Sequence, residues 1–200
     1  NSIETLHDLA AASDYDPNSM PVDKAREHIR RFLSPVTACE RLSIRSALGR
    51  VLAEDVMSPI DVPQHDNSAM DGFAVRFEDM KPDHESTLRV IGSSFAGRHF
   101  QGKVNTGEAV RIMTGAVLPA GADTVIQQER AKLSGDQVSL APVARRGANT
   151  RQAGEDLRRG AVALRRGQPI RAAEIGMLAS LGIGEIAVFR RLRVAFFSTG

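Results

Sequence analysis

The segment from Pro63 to Val75 concentrates groups able to do chemistry. Asp66, Asn67, Ser68 and Asp71 place two carboxylates, an amide and a hydroxyl within six residues, ahead of Gly72 and the apolar run Phe73-Ala74-Val75. Carboxylate oxygens suit a hard divalent cation. A polar loop tied to a core strand holds such groups rigidly. The same residue types also build an Asx-rich turn, because Asp and Asn bond their own backbone readily.

Two further polar clusters follow. In Arg111-Ile112-Met113-Thr114-Gly115-Ala116 a strand runs into a glycine turn. Either the Thr114 hydroxyl and the Gly115 loop amides face an oxyanion as a backbone nest, or this is an ordinary strand-end turn. Glu129, at the end of the next strand, is either a surface charge or the partner of a nearby arginine. The third cluster sets Arg145, Arg146 and Arg151 beside the pair Glu155-Asp156. Acids beside arginines form either a structural ion network of modest value or a site for both a phosphate and a divalent cation.

The elements that must position these clusters are legible in outline. Asn1 to Asn18 reads as a loosely held polar arm. A helix follows from Met20, with Pro21 suited to its first position, Asp23 to its first turn, and Val22, Ala25, Ile29, Phe32 and Leu33 forming one buried face. Ser34-Pro35 ends it. Arg41–Arg45 alternates as a half-buried strand, and Ala47–Leu52 reads as a helical turn. From Pro59 to Pro142 short β-type runs alternate with turns; Leu88–Ile91, Ala109–Met113, Thr124–Gln127 and Gln137–Leu140 are the clearest strands. Ser134-Gly135-Asp136, between the last two, reads as a hairpin turn. Strands at Ala161–Leu164 and Glu185–Phe189 flank a helix over Ala172–Leu181, with Ile175, Leu178 and Leu181 as its buried stripe. Arg193–Gly200 reads as a buried strand running into a polar loop, the opening of a further domain.

The 200 residues are 42% hydrophobic, enough for one sizeable core or two small ones. No apolar run approaches the roughly 18 residues of a membrane span. The stretch from Asn1 to Tyr15 lacks a basic n-region and an apolar core, so it does not read as a secretory signal. A single cysteine, Cys39, reads as a buried or idle thiol in a reducing compartment, which points to the cytoplasm. The net charge of +2 conceals an asymmetry: residues 1–140 hold 15 Lys and Arg against 20 acids, residues 141–200 hold 11 Arg against 4 acids. Arginine suits bidentate contact with oxyanions. With one Tyr, no Trp and no aromatic residues interleaved among the arginines, nucleic-acid binding is not supported; an anionic small molecule fits better.

Together, the run Asp66-Asn67-Ser68-Ala69-Met70-Asp71-Gly72, the Thr114-Gly115-Ala116 turn and the Arg151 to Asp156 cluster resemble the molybdopterin molybdenumtransferase family, the MoeA-like proteins related to the E domain of gephyrin. The likeness runs from about Met20 to Gly200. It implies an α+β, multidomain and elongated chain. Residues 21–58 plus 144–190 would form a discontinuous α/β domain, 59–143 an inserted β-rich domain, and 191–200 the first strand of a third α/β domain, after a 1–20 arm.

The resemblance also implies an activity: insertion of molybdate into adenylylated molybdopterin with release of AMP, assisted by Mg2+ or a similar divalent cation. On that reading Asp66, Thr114 and Asp156 are catalytic, Asp66 and Asp156 also hold the metal, and Ser68, Asp71, Gly115, Arg151 and Glu155 bind substrate. Asp66, Thr114 and Asp156 should line one cleft, with part of it supplied by a second subunit. A homodimer is implied, with molybdopterin adenylyltransferase and molybdoenzymes as partners and no nucleic acid or membrane. The alternative is a non-catalytic scaffold of the gephyrin type. His65 stands where the family usually has Phe, Phe73 where Tyr is frequent, and Arg171 where a Ser or Thr cap is usual. The family continues after Ser-Thr-Gly with an Asp-Glu pair and a pterin-binding domain, so this chain is expected to hold part of an active site and to be inactive alone.

Overall fold

A computed structural model describes residues 21–198. The polar arm expected at 1–20 and the residues Thr199 and Gly200 lie outside the described residues. The chain divides into two units: Glu40–Val188, and the residues on either side of it.

In the flanking unit, helix α1 spans Val22–Phe32. It starts one residue later than Pro21 predicts, which is ordinary fraying of a helix end. Its apolar stripe is not buried: Ile29 is 58% and Leu33 69% exposed. The periodicity is real, but no described residue of its unit buries that face. Residues 190–198 contain no strand, and Phe196 and Phe197 are exposed. Among the described residues the apolar run 194–197, which reads as a buried strand, joins no ladder and is exposed, and an extended segment without a ladder is not a strand.

The larger unit is sheet-rich. Strand β1 (Cys39–Ser43) leads into a 3-10 turn at Ile44–Ser46, earlier than the Ala47–Leu52 turn read from sequence. Then come β2 (Val56–Met57), β3 (Asn67–Ser68), β4 (Gly72–Val75), β5 (Ser86–Ser94), β6 (Glu108–Ile112), β7 (Thr124–Gln127), β8 (Ala131–Ser134) and β9 (Gln137–Leu140). They are followed by β10 (Thr150–Arg151), β11 (Val162–Leu164), helix α2 (Ala172–Ser180) and β12 (Glu185–Phe189). Cys39, expected to be buried or idle, is exposed and free.

Six strands form one sheet in the order β7-β4-β6-β5-β9-β8, antiparallel except for the parallel pair β5–β6. The Ser134–Asp136 turn joins β8 to β9, with Gly135 at φ 61°. It does not join β7 to β9, because β7 pairs instead with β4. β4 is buried on both faces, which explains why Gly72–Val75 has no polar alternation. One side of the sheet packs Phe73, Val75, Leu88, Ala109, Ile126, Val138 and Leu140; the other packs Ala74, Ile112, Ala116 and Val125.

A separate core gathers Ala47, Leu52, Leu164, Ile170, Leu178, Ile186 and Val188 from the two ends of this unit. Its strands pair across the sequence, β2 with β11 and β1 with β12. Helix α2 starts at Arg171, whose backbone N–H is accepted by Glu174 Oε2 at 2.8 Å, so a reciprocal acid replaces the missing Ser or Thr cap. Among the described residues no helix is long and apolar enough to cross a membrane.

Candidate functional site

The three polar clusters meet. β3 pairs antiparallel with β10, setting Asn67 opposite Arg151 and Ser68 opposite Thr150. Backbone bonds from Ser68 N to Ala116 O (3.0 Å), Gly115 N to Ser68 O (2.8 Å) and Leu118 N to Asp66 O (2.9 Å) bring in the second cluster. The third is fixed by Gly154 N to Pro63 O (2.9 Å) and by the Ala153 N–H, which the Asp66 carboxylate accepts on Oδ1 at 2.8 Å. Two-residue strands are too short to stand alone. Here they survive because each borrows a ladder from a distant loop.

A cavity of about 250 Å³ opens where the first and third clusters join. Asp66, Asp123, Arg146, Thr150, Arg151 and Gln152 are among the residues that line it. Arg151 is held from one side by the third-cluster acids: its Nη2 pairs with Asp156 Oδ1 and its Nε lies 3.5 Å from Glu155 Oε1. The Asp156 hydrogen bond and charge, then Glu155, raise the Arg151 pKa, so the guanidinium stays charged. Glu155 Oε2 also accepts the Gln152 N–H at 3.0 Å, tightening the loop. Asp66 and Arg151 thus present one negative and one positive group to the same space.

Arg146 is clamped as well. Its Nη2 sits 2.9 Å from Glu78 Oε1 and its Nε 3.3 Å from Asp123 Oδ2. Glu78 is shared with Arg76 at 2.8 Å, and bonds from Arg76 first and Arg146 second hold its carboxyl below the usual range. Arg146 lay in a cluster singled out from sequence, but Asp123 carries no sequence signal; only the fold brings it there.

Thr114 and Asp156 do not line this cavity. Asp156 connects to it through Arg151 and itself borders an apolar groove formed with Val62, Leu157, Ala163, Met177 and Leu181. Thr114 lies against Asp71, which accepts the Thr114 N–H at 2.8 Å and its O–H at 2.7 Å on one oxygen, Oδ1. Those two bonds, the backbone one first, lower the Asp71 pKa. The Gly115 N–H goes to Ser68 O and the Ala116 N–H to Met113 O. Every N–H of the expected oxyanion nest is therefore committed inside the protein. Of the two readings of this turn, the structure takes the strand-end turn. Gly115 adopts φ 77°, the left-handed conformation that lets the chain reverse here.

Ser68 is buried and spends its hydroxyl on the Met70 carbonyl, closing the loop around Asp66 and Asp71. The Asn67 side-chain oxygen is buried with no hydrogen-bond partner among the described residues. Glu129 is an exposed charge in a 3-10 turn after β7 and accepts from Gln128 Nε2 at 3.4 Å.

Two of these carboxylates keep an oxygen that a cation would accept as a ligand. Among the described residues no three His, Cys, Asp or Glu side chains gather as a metal cluster. Asp66 gives Oδ1 to Ala153 and Asp156 gives Oδ1 to Arg151, which leaves each with a second oxygen. One or two carboxylates completed by phosphate oxygens and water is the ligation that Mg2+ accepts.

Residues 20–182 match the MoeA N-terminal region, domain I and II. The chain is 42% identical over 182 residues to the molybdopterin molybdenumtransferase of Haemophilus influenzae, covering 90% of this chain and 45% of that protein. It is 37% identical over 167 residues to the Synechococcus elongatus molybdopterin molybdenumtransferase, covering 82% of this chain and 41% of that one. The chain thus spans less than half the length of these relatives. A crystal structure of the molybdopterin biosynthesis moeA protein from Pyrococcus horikoshii superposes with a TM-score of 0.77 at 36% identity, over 82% of this chain and 45% of that one. The convergence of Asp66, Thr114 and Arg151 loops on β3 and β10 is built on that fold, and the chain belongs to the MoeA N-terminal region family.

Proposed function

We propose that this chain supplies part of the active site of a molybdopterin molybdenumtransferase, acting in molybdenum cofactor biosynthesis. The reaction is insertion of molybdate into adenylylated molybdopterin with release of AMP. The observation that carries this reading is the cavity shared by Asp66 and Arg151, in a chain 42% identical to a relative of that name. Arg151 suits a phosphate or molybdate oxyanion. Asp66, with Asp156 behind Arg151, suits a substrate-bound Mg2+. Catalytic roles for Asp66, Thr114 and Asp156, and substrate contacts from Arg151 and Glu155, belong to this proposal; Ser68, Asp71 and Gly115, expected from the resemblance to bind substrate, enter it as the residues that hold the loops in place. So do a cytoplasmic location, a homodimer that completes the site, and molybdopterin adenylyltransferase and molybdoenzymes as partners. The two cores of the larger unit support a discontinuous domain carrying a β-rich insertion.

The test is AMP release from adenylylated molybdopterin, with molybdate and magnesium, by the longest native polypeptide containing this chain. Magnesium-dependent release is expected; its absence overturns the reading. The alternative, a non-catalytic scaffold, is favoured by the apolar groove between Leu157 and α2. It predicts stable complexes with other proteins and no turnover.

A further inference from the structure

Thr114 makes two bonds that decide what its hydroxyl can do. The N–H and the O–H both donate to Asp71 Oδ1, at 2.8 and 2.7 Å. The two residues are 43 apart in sequence, so the contact is made by the fold and not by the local turn. The Thr114 backbone is held from each side: Met113 N donates to Ser94 O at 3.1 Å and Gly115 N to Ser68 O at 2.8 Å. Asp71 is held too, because the Gln128 N–H bonds its carbonyl at 3.0 Å and Gly72 begins the buried strand β4. Both ends of the contact are therefore anchored on the six-stranded sheet.

A hydroxyl has one proton and two lone pairs. An ionised carboxylate only accepts. Once the Thr114 proton points at Asp71, the hydroxyl has nothing left to donate. Its oxygen can accept from a donor; it cannot donate to an oxyanion.

We propose that Asp71 is a positioning residue for Thr114, orienting its hydroxyl as a pure acceptor that meets a hydrogen-bond donor of the substrate and not the molybdate oxyanion. This rests on the transferase reading for its activity arms and on geometry alone for its placement. Asp71 acts through Thr114. It does not itself touch the substrate, so its worth is conditional on the threonine oxygen being present.

A double-mutant cycle tests this, with Asp71→Ala, Thr114→Val, Thr114→Ser and the doubles measured in the longest native polypeptide that contains the chain. Asp71→Ala removes the acceptor of both bonds and is expected to lower kcat by roughly 10- to 100-fold, the scale of a misplaced reacting group, with the KM for molybdate changed less than about twofold, as for a lost contact that molybdate does not share. Thr114→Val should do the same, and adding Asp71→Ala to it should cost nothing further, because groups that act as a unit are not additive. Thr114→Ser keeps the hydroxyl and should retain activity while Asp71 is intact, but not when combined with Asp71→Ala. Equal losses from Asp71→Ala in the threonine and valine backgrounds overturn the proposal, as does a weakened molybdate KM in Thr114→Val. If the wild-type protein releases no AMP, the transferase reading falls, and amide hydrogen exchange decides the placement. Loss of Thr114 amide protection in a folded Asp71→Ala variant supports it; unchanged protection overturns it.

Discussion

At the scale of single residues, charge and hydrogen bonding must be separated. Asp66→Asn keeps an oxygen for the Ala153 N–H and removes the charge that faces the Arg151 cavity. Turnover should fall while the stability loss stays within about 1 kcal/mol, as for most surface changes. Melting temperature and magnesium-dependent AMP release on one preparation check this. Lower stability with normal release per folded molecule would make Asp66 structural. The acids and arginines of this site were legible because Asp66, Arg151, Glu155 and Asp156 stand in polar loops beside apolar runs. Their pairings were not: Asp71 reaches Thr114 and Asp66 reaches Ala153, 87 residues on, through sheet topology that no local pattern encodes. The hydroxyl at position 114 read as an oxyanion donor because its acceptor, Asp71, lies in a distant loop just ahead of β4.

At the scale of elements, β4 is the piece that cannot yield. It lies between β6 and β7. A Cβ added at Gly72 would stand 1.9 Å from the Ile126 carbonyl oxygen and 2.8 Å from its carbon. Gly72→Ala should therefore destabilise the protein by about 1–3 kcal/mol, the usual cost of overpacking, and shift the Asp71–Thr114 contact at the strand's start. Urea unfolding measures it; a midpoint equal to wild type would show that β4 and β7 can part without loss. The strands β7 and β9 were legible to the residue from β-branched and apolar content between turn formers. Their neighbours were not: β7 pairs backward with β4 because the short β8 takes the place beside β9. The α1 stripe was legible as a helix face, yet periodicity says only which residues share a face, not whether anything covers it.

At the scale of the whole molecule, several carboxylates tie folding to pH. Asp71 (Thr114 N–H and O–H), Glu78 (Arg76, then Arg146), Glu108 (Asn105 N–H, then Arg89) and Glu174 (Arg171 N–H) all have lowered pKa values. A carboxyl whose native pKa lies below its unfolded value binds more protons when unfolded. Its contribution is present above the unfolded value, about 4, and is lost as pH falls through the native one. The melting temperature should thus drop on acidification from about pH 5 downward, and less steeply in Asp71→Asn; a curve of unchanged slope would place the linkage elsewhere. The pairing of β2 with β11 has a consequence during synthesis. Val56 and Met57 must wait for Val162–Leu164, about a hundred residues later, before they can pair. At bacterial and eukaryotic elongation rates that is roughly 5–20 s. Through that interval Leu52 and Ala47 hang from the ribosome without the core that later hides them, while the six-stranded sheet, whose residues emerge in one continuous stretch, can already close. The six-stranded sheet should therefore mature before the core that flanks it, and the segment from Ala47 to Met57 is the one that waits longest for its partners and has most need of a chaperone.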